Sequence, residues 1–201
     1  NRILLSALKW PIETMFVGFR PRWNVSASNT NQYRDWHNLS LVSDNKIDTP
    51  AMSSGKLTID DTVAFNAVST KIKTVGSAQT VERWTYPSYT ETISSIQLEA
   101  HGIDIFKAFG TAFYRDYTAY TFGGANLDTP VDIGAYVLNF CLFPGTYQPS
   151  GHINVSRARE FYISYNSTYI SSSTPVDLIV LAKAINFILI SDGSAVLRYT
   201  T

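Results

Sequence analysis

The sequence contains almost no cysteine, and this shortage already narrows its class. Cys141 is the one cysteine among 201 residues, and it lies in the apolar segment Tyr136–Phe143. A single cysteine excludes both an intrachain disulfide framework and a cysteine-based zinc site, which fits a reducing compartment. We expect Cys141 to be a small buried apolar side chain.

Charge is also scarce, and it is balanced. Lys and Arg total 16, Asp and Glu total 16, and the formal net charge is 0. Direct nucleic-acid binding needs a surplus of cations to neutralise phosphate, so the composition argues against it. A nearly neutral surface instead favours association with other protein chains. No run of 18 apolar residues occurs, so membrane insertion is not predicted. The start at Asn1, without Met, suggests a fragment of a longer protein.

The residues that are abundant favour β-structure. There are 12 Tyr, 11 Phe and 4 Trp, with many Val, Ile, Thr and Ser. Residues that favour helices are too few for a helical bundle. Alternation and runs of β-formers predict strands at Glu13–Phe19, Lys56–Phe65, Gln79–Tyr86, Glu91–Ala100, Ala112–Phe122, Ile133–Phe143, Ile153–Tyr165 and Asp177–Ile190.

Local signals complete the predicted fold. Asp192–Gly193 predicts a type I′ hairpin turn, because both central residues of that turn need positive φ, and Ala195–Tyr199 would be the return strand. Asp177–Ile190 is apolar on both faces, which is typical of a central strand covered on both sides. A short helix is predicted at Ile103–Phe109, and long loops near residues 24–55 and 101–130. Together these elements predict an all-β antiparallel jelly-roll sandwich.

No motif for catalysis or cofactor binding is present. The three histidines have no metal-ligand spacing, and no nucleophile elbow or phosphate-binding glycine loop occurs. We therefore predict no enzyme activity, no catalytic residue, no cofactor and no metal.

Two polar clusters are candidate sites. Arg34, Asp35, Trp36 and His37 could orient a ligand or a general base. The favoured alternative is a loop anchored by Trp36 with an Arg–Asp pair. Further along the chain, Arg157 and Arg159 share one strand face and could hold an anion. With Glu160 beside them in a neutral chain, a structural or intersubunit role is favoured.

Exposed aromatic residues leave the function class open at this point. Tyr114, Tyr117, Tyr120 and Phe122 lie close together in sequence, and such residues suit either a carbohydrate-binding face or a protein–protein interface. A carbohydrate-binding jelly-roll module is therefore an alternative to a structural subunit. A third class, a β-sandwich glycosidase, would need two carboxylates facing each other about 5–10 Å apart.

Specific strings carry a family resemblance. They are Leu5–Glu13, Arg34–His37, Ala100–Ile103, Tyr147–Ser164, Ala184–Phe187 and Gly193–Tyr199. In this order they resemble the major capsid proteins of African swine fever virus and its amoebal relatives, such as the faustoviruses. The resemblance spans nearly the whole chain and is lost across roughly Asp44–Ser95. The 18 residues Tyr147–Ser164 are the most specific part of it.

The resemblance implies the second jelly roll of a double jelly-roll capsid protein. Residues 1–201 would be its C-terminal jelly-roll domain, lacking the first strands. The protein would form homotrimeric, pseudo-hexagonal capsomers in the outer shell of a large icosahedral double-stranded DNA virus. Its expected partners are neighbouring capsomers, minor capsid proteins and a virus-encoded chaperone, and its expected location is the virion capsid, assembled in the host cytoplasm. The seven residues of the two polar clusters are candidates for subunit contacts or loop anchoring.

Overall fold

A computed structural model describes residues 1–47, 72–75, 78–81, 84–123, 132–156 and 160–199. The strands are β1 Arg2–Leu4, β2 Pro11–Pro21, β3 Leu41–Ile47, β4 Ile72–Val75, β5 Ala78–Val81, β6 Trp84–Thr90, β7 Ser95–Ala100, β8 Ile103–Gly110, β9 Ala135–Asn139, β10 Ile153–Asn154, β11 Phe161–Asn166, β12 Val176–Ala184, β13 Ile188–Ser191 and β14 Ser194–Leu197. The helical segments are a 3-10 turn at Arg22–Val25, α1 at Gln32–Asp35, a π-helix at Phe113–Tyr117 and α2 at Thr118–Gly123.

The chain divides into two compact units, where the sequence predicted one domain over 1–201. Residues 1–41 and 91–201 form the first unit, and residues 42–90 form the second. The second unit contains two small sheets, β3 with β6 and β4 with β5. This insertion coincides with the region where the family resemblance is lost.

The first unit is built on two antiparallel sheets. Sheet I has four strands in the order β1-β11-β7-β8. In sheet II the long strand β2 pairs along one edge with β12. Its other edge pairs with β10 near Ile12 and with β9 over Thr14–Gly18. The described part of sheet II is therefore three strands wide, with β9 and β10 sharing one position.

The two sheets enclose a common apolar core. Alternate residues of β7, namely Ile96, Leu98 and Ala100, are buried, as the period-two pattern of Glu91–Ala100 predicted. They pack in one cluster with side chains of β2, β9 and β11. Phe19 of sheet II meets Tyr165 of sheet I edge to face, with 4.9 Å between ring centroids. The all-β antiparallel sandwich predicted from composition is confirmed.

A β-bulge in β2 changes which side chains of the strand face the core. The pairing with β12 shifts at Glu13, so that Thr14 lies opposite Lys183 and Ile12 lies opposite Ala184. Strict alternation would put Ile12 and Met15 on opposite faces, yet both are fully buried. The Glu13 carboxylate, also buried, lies 3.1 Å from the Lys183 ammonium group.

The predicted hairpin at the end of the chain is confirmed. Asp192 has φ 48° and Gly193 has φ 79°, and Ser191 pairs directly with Ser194. A second turn of the same kind was missed. His101 and Gly102, at φ 54° and 75°, join β7 to β8, with Ala100 opposite Ile103. In both places two consecutive residues with positive φ give the backbone twist that a two-residue hairpin needs.

Two predicted elements have the opposite secondary structure. The helix predicted at Ile103–Phe109 is strand β8, because the His101–Gly102 turn folds it back on β7. The strand predicted at Ala112–Phe122 is helical. Tyr114, Tyr117 and Tyr120 are three residues apart, which is a helical spacing. The long loop predicted near residues 101–130 is likewise wrong over 103–123.

The other long elements are shorter than predicted. Asp177–Ile190 breaks into β12 and β13 at residues 185–187. Among the described strands β12 borders β2 alone, so the central position predicted for this segment is not seen there. Ile133–Phe143 contains only β9, and Ile153–Tyr165 contains β10 and part of β11. The loop predicted near 24–55 contains α1 and β3. The predicted strand Lys56–Phe65 lies outside the described residues.

Candidate functional site

The first predicted cluster lies on and just after the short helix α1. Asp35 is 2% exposed, and its carboxylate accepts hydrogen bonds from Arg34 Nε at 2.6 Å and from Asn29 Nδ2 at 3.1 Å. Asn29 Oδ1 in turn accepts the Asn31 backbone N–H at 2.9 Å. A buried carboxylate thus closes the turn that leads into the helix.

The aromatic members of this cluster point outward. Trp36 is 56% exposed and Tyr33 is 81% exposed. The Trp36 and His37 rings meet edge to face, with centroids 5.6 Å apart. The segment therefore combines a fixed polar base with large exposed rings, which is how interface aromatics are commonly presented.

Asn24 stabilises the chain after this segment through buried hydrogen bonds, a role that the sequence did not predict. It is fully buried, and its Nδ2 donates to the carbonyls of Asn38 and Ser40 at 3.0 and 2.8 Å. These two bonds hold together chain segments that are 14 and 16 residues apart. The sequence signal was an asparagine just after an aromatic residue at a strand end, which is too common to be recognised.

The second predicted cluster is only partly described. Glu160 is exposed, and its backbone carbonyl accepts the His101 N–H at 2.9 Å, next to the β7–β8 turn. Arg157 and Arg159 lie outside the described residues. The role predicted for these two arginines therefore stays a prediction.

A third exposed apolar segment follows β9, and its first residues fall in the predicted strand Ile133–Phe143. Leu142, Phe143 and Tyr147 are each more than 60% exposed. The Ser150 hydroxyl accepts the Phe143 N–H at 2.8 Å, and the Thr146 hydroxyl lies 2.9 Å from the Phe143 carbonyl. These internal bonds close the loop on itself, so its apolar side chains are held in place while facing solvent.

The end of β8 and the helical segment after it carry a stack of aromatic rings. Phe109 and Phe113 have centroids 4.5 Å apart at 28°, and Phe113 and Tyr117 have centroids 5.2 Å apart at 24°. The rings thus cover one another's faces, which is unlike the open faces of a sugar-binding platform. Arg115 contacts both Glu91 and Asp116, and the hydrogen bond from Arg115 lowers the pKa of Asp116.

Two buried tyrosines have raised pKa values. The Tyr114 hydroxyl lies 3.0 and 3.1 Å from the carbonyls of Ile96 and Lys107, and burial raises its pKa to about 12. Burial also raises the pKa of Tyr136, and the negative charge of Glu91 adds to the effect. Both phenols are neutral at physiological pH. The Tyr114 hydroxyl is held by two backbone carbonyls, whereas the buried Tyr136 hydroxyl has no hydrogen-bond partner among the described residues.

The C-terminal hairpin is apolar on both faces. Ile188 and Ile190 share one face with Leu197 and Ala195, because paired residues point the same way. Leu189 and Val196 occupy the opposite face. All five large side chains are 49–78% exposed.

No cluster with the makings of a metal site was found where the structure is described: His, Cys, Asp and Glu nowhere gather in groups of three or more. Within the same ranges, every helix is too short or too polar to cross a membrane.

A rigid antiparallel sandwich with several exposed apolar segments is typical of subunits that assemble. A family model described as large eukaryotic DNA virus major capsid protein matches residues 23–196. The major capsid protein of African swine fever virus, isolate Pig/Kenya/KEN-50/1950, is 44% identical over 199 residues, which are 98% of this chain and 30% of that protein. Hexon protein p72 of the isolate Tick/Malawi/Lil 20-1/1983 matches with the same identity and coverage.

Solved structures agree with these sequence matches. The faustovirus major capsid protein superposes with a TM-score of 0.78 at 46% identity, over 95% of this chain and 31% of that one. A PBCV-1 capsid structure gives a TM-score of 0.58 at 20% identity, which supports the fold only. The chain belongs to the family of major capsid proteins of large eukaryotic DNA viruses. It spans about 30% of the length of the curated relatives it matches.

These findings confirm the family resemblance and the jelly-roll fold class. They give no support to the carbohydrate-binding alternative, and the stacked rings at Phe109, Phe113 and Tyr117 agree with that. The relatives are structural capsid proteins by name.

Proposed function

We propose that this chain is part of a structural subunit in the outer shell of a large icosahedral double-stranded DNA virus. The observation that carries the proposal is the match to major capsid proteins over 98% of the chain. The exposed loop at Leu142–Tyr147 supports it, because large apolar side chains on a closed loop suit permanent protein contacts.

The subunit would assemble as a homotrimer. Three copies around a closed axis use one heterologous contact three times, and obligate contacts of this kind are large and relatively apolar. The trimers would be pseudo-hexagonal capsomers that meet neighbouring capsomers and minor capsid proteins. A virus-encoded chaperone would assist folding. The lone cysteine, Cys141, suits assembly in the reducing host cytoplasm.

This role requires no catalysis and no cofactor. The charged groups at the helical segment pair with one another, as Arg115 does with Glu91 and Asp116. The phenols of Tyr114 and Tyr136 are held neutral by burial. We propose that these groups stabilise the subunit and do no chemistry.

Within the assembly, the two predicted polar clusters would have different tasks. Asp35 and Arg34 would anchor the loop, while Trp36 and His37 would contact a neighbouring subunit. Arg157 and Arg159, with Glu160, would bridge copies through charge-assisted hydrogen bonds. The 1–201 segment would be the C-terminal jelly roll of a double jelly-roll subunit.

Electron microscopy of the full-length product tests the proposal. Negatively stained particles, purified from virions or co-expressed with the chaperone, should be compact trimers with a hexagonal outline. Stable monomers that do not assemble at any concentration would contradict it, and a glycan-binding screen would then follow.

A further inference from the structure

The chain enters the inserted unit, residues 42–90, from a fixed point on the sandwich. Asn24 is fully buried, and its Nδ2 donates to the Ser40 carbonyl at 2.8 Å. The Asp132 carboxylate accepts the Leu39 backbone N–H. Side chains of the first unit therefore bind the backbone of this segment just before β3 begins.

A close backbone approach at Gly134 adds to this fixed point. A Cβ atom on Gly134 would lie closer than 3.0 Å to the backbone of Leu39 and Ser40, and one on Gly18 would collide with the Leu39 side chain. The backbone angle φ is not positive at Gly134, so glycine is needed there for space and not for backbone conformation. Leu39 thus lies against both β2 and the residue that precedes β9.

The chain leaves the inserted unit at a second fixed point. Glu91 is the first residue after the unit, and its carboxylate accepts hydrogen bonds from Arg115 and, at 2.6 Å, from the Thr111 hydroxyl. The next residue, Thr92, is 2% exposed, and its carbonyl accepts the Ser167 hydroxyl. Contacts with the helical segment and with the residue after β11 therefore hold this end.

The two ends of the inserted unit lie close to each other. The described strands at its ends, β3 and β6, pair with each other, and the Ser88 hydroxyl lies 3.3 Å from the Ser43 carbonyl. Ser43 is the second residue of the unit, and Ser88 is the third from its end. A chain segment that leaves and returns at neighbouring points adds only a modest entropic cost of loop closure to the fold.

We propose that residues 44–87 are a replaceable insertion, which the two sheets do not need in order to fold. Its junctions are held from the sandwich by a set of residues that we call the junction clamp: Asn24, Thr111, Arg115, Asp132 and Gly134. Changes between Ser43 and Ser88 should therefore leave the sandwich intact, whereas changes in the junction clamp should disturb it. The inserted unit can then vary in sequence, or carry contacts of its own, without loss of the core.

This inference concerns the folding of one subunit and does not depend on capsid assembly. Its readout is local hydrogen exchange in the full-length protein, so failure of the proposed function and failure of this inference are separate results.

Shortening the insertion in the full-length protein provides the first test. Residues 44–87 are replaced in one variant by Asn-Gly, which favours a tight hairpin turn, and in a second variant by a flexible Gly–Ser linker. The amides of β2, β7 and β9 should exchange within about tenfold of their rates in the unmodified protein. Retained protection in either variant supports the proposal, because a strained turn can harm one of them alone. Exchange about a hundredfold faster in both, or failure of both to fold, would overturn it.

A matched pair of glycine substitutions tests the entry side of the junction clamp. Gly134→Ala places a methyl group against the Leu39 backbone, so the Leu39 amide should exchange at least about a hundredfold faster than in the unmodified protein. A Cβ on Gly110 would come no closer than 3.9 Å to its nearest neighbour, the Ser94 carbonyl, so Gly110→Ala should change Leu39 exchange by less than about threefold. Equal effects of the two substitutions would overturn the proposal.

A pair of threonine substitutions tests the exit side with less risk to folding. Thr111→Val keeps the side-chain shape and removes a hydrogen bond to Glu91, so exchange of the nearby Ser94 amide should rise by about threefold to tenfold. Thr118→Val removes a hydroxyl hydrogen bond elsewhere in the helical segment and should leave Ser94 exchange unchanged. Equal exchange of Ser94 in the two variants would mean that the exit is not held by Thr111, and would overturn the proposal.

Discussion

The core of the sandwich and the C-terminal hairpin contain the same kinds of residue in opposite surroundings. Ile163 of β11 is fully buried between the sheets, whereas Ile190 of β13 is 78% exposed. Both lie in regular antiparallel strands. The difference separates two groups of apolar residues in this chain: one is buried in the core of the unit, and the other forms an exposed apolar surface of the kind that commonly marks an interaction site.

An isolated two-stranded hairpin is at best marginally stable in water. The hairpin here is apolar on both faces, so cover on one side would still leave the other exposed. The sequence of the hairpin therefore fits a position in which protein surfaces contact both of its faces better than one in which only one face is contacted. The loop at Leu142–Tyr147 and the Trp36 segment belong to the same exposed class, although each is fixed by internal hydrogen bonds.

The largest expected difference in stability comes from making the same substitution once in the core and once in the C-terminal hairpin. In the full-length protein, Ile163→Ala should lower the free energy of unfolding by about 2–5 kcal/mol, because it opens a cavity between the sheets. Ile190→Ala should change that free energy by less than about 0.5 kcal/mol. Urea unfolding of each variant measures the difference. Equal losses would mean that the hairpin is part of the folding core.

The two buried tyrosines, Tyr114 and Tyr136, predict how the stability of the core depends on pH. The pKa of Tyr114 is raised from 10.0 to about 12 by burial, so an unfolded chain releases this proton at lower pH than the folded one. Stability is therefore unaffected below pH 10 and falls by about 1.4 kcal/mol per pH unit between pH 10 and 12 for this group. The raised pKa of Tyr136 should steepen the loss.

Unfolding curves between pH 8 and 11.5 test this expectation. Tyr114→Phe should flatten the alkaline slope, while it also costs stability at neutral pH because the carbonyls of Ile96 and Lys107 lose a donor. An unchanged alkaline slope in the variant would show that Tyr114 is not the group responsible.

The Arg34–His37 segment has features of both regions, because it combines a buried polar base with exposed rings. A buried carboxylate, Asp35, can therefore be compared with a half-exposed one, Asp116. Asp35→Ala should cost about 2–3 kcal/mol, because it removes the buried acceptor of the Asn29 amide and of the Arg34 Nε–H. Asp116→Ala should cost less than about 1 kcal/mol, since the Asp116 side chain is half-exposed and its ion pair is screened. Thermal unfolding separates them. Similar losses would contradict the anchoring role of Asp35.

Sequence alone predicted this architecture well where one residue pattern has one structural solution. The alternating residues of β7 and the Asp192–Gly193 turn belong to that kind, because a two-residue turn with positive φ leaves the strands one register. The family strings then supplied the jelly-roll topology, which no periodicity can specify.

The errors occurred where a pattern has two solutions. Ile103, Phe106 and Phe109 fit a helix by spacing, but the turn at His101–Gly102 makes that segment a strand. The following aromatic run fits a strand by composition, but Phe113 and Tyr117 stack on one another across a helical turn. In both cases a neighbouring element decided the structure, and single-segment patterns do not contain that information. The fixed, exposed position of Leu142–Tyr147 was missed because it depends on hydrogen bonds of the Ser150 and Thr146 hydroxyls.

The smallest effect on folding, and the most informative for function, is expected at Trp36. Because the ring is 56% exposed, Trp36→Ala should change the free energy of unfolding by less than about 0.5 kcal/mol. If the ring contacts a neighbouring copy, trimer dissociation should become easier by about 2 kcal/mol, or roughly thirtyfold, as for an interface hot spot. Analytical ultracentrifugation of full-length trimers over a dilution series measures this. Tyr120→Ala removes an aromatic ring that is 83% exposed and serves as the control; an equal loss there would show that exposed aromatic area in general, and not the Arg34–His37 segment, stabilises the trimer.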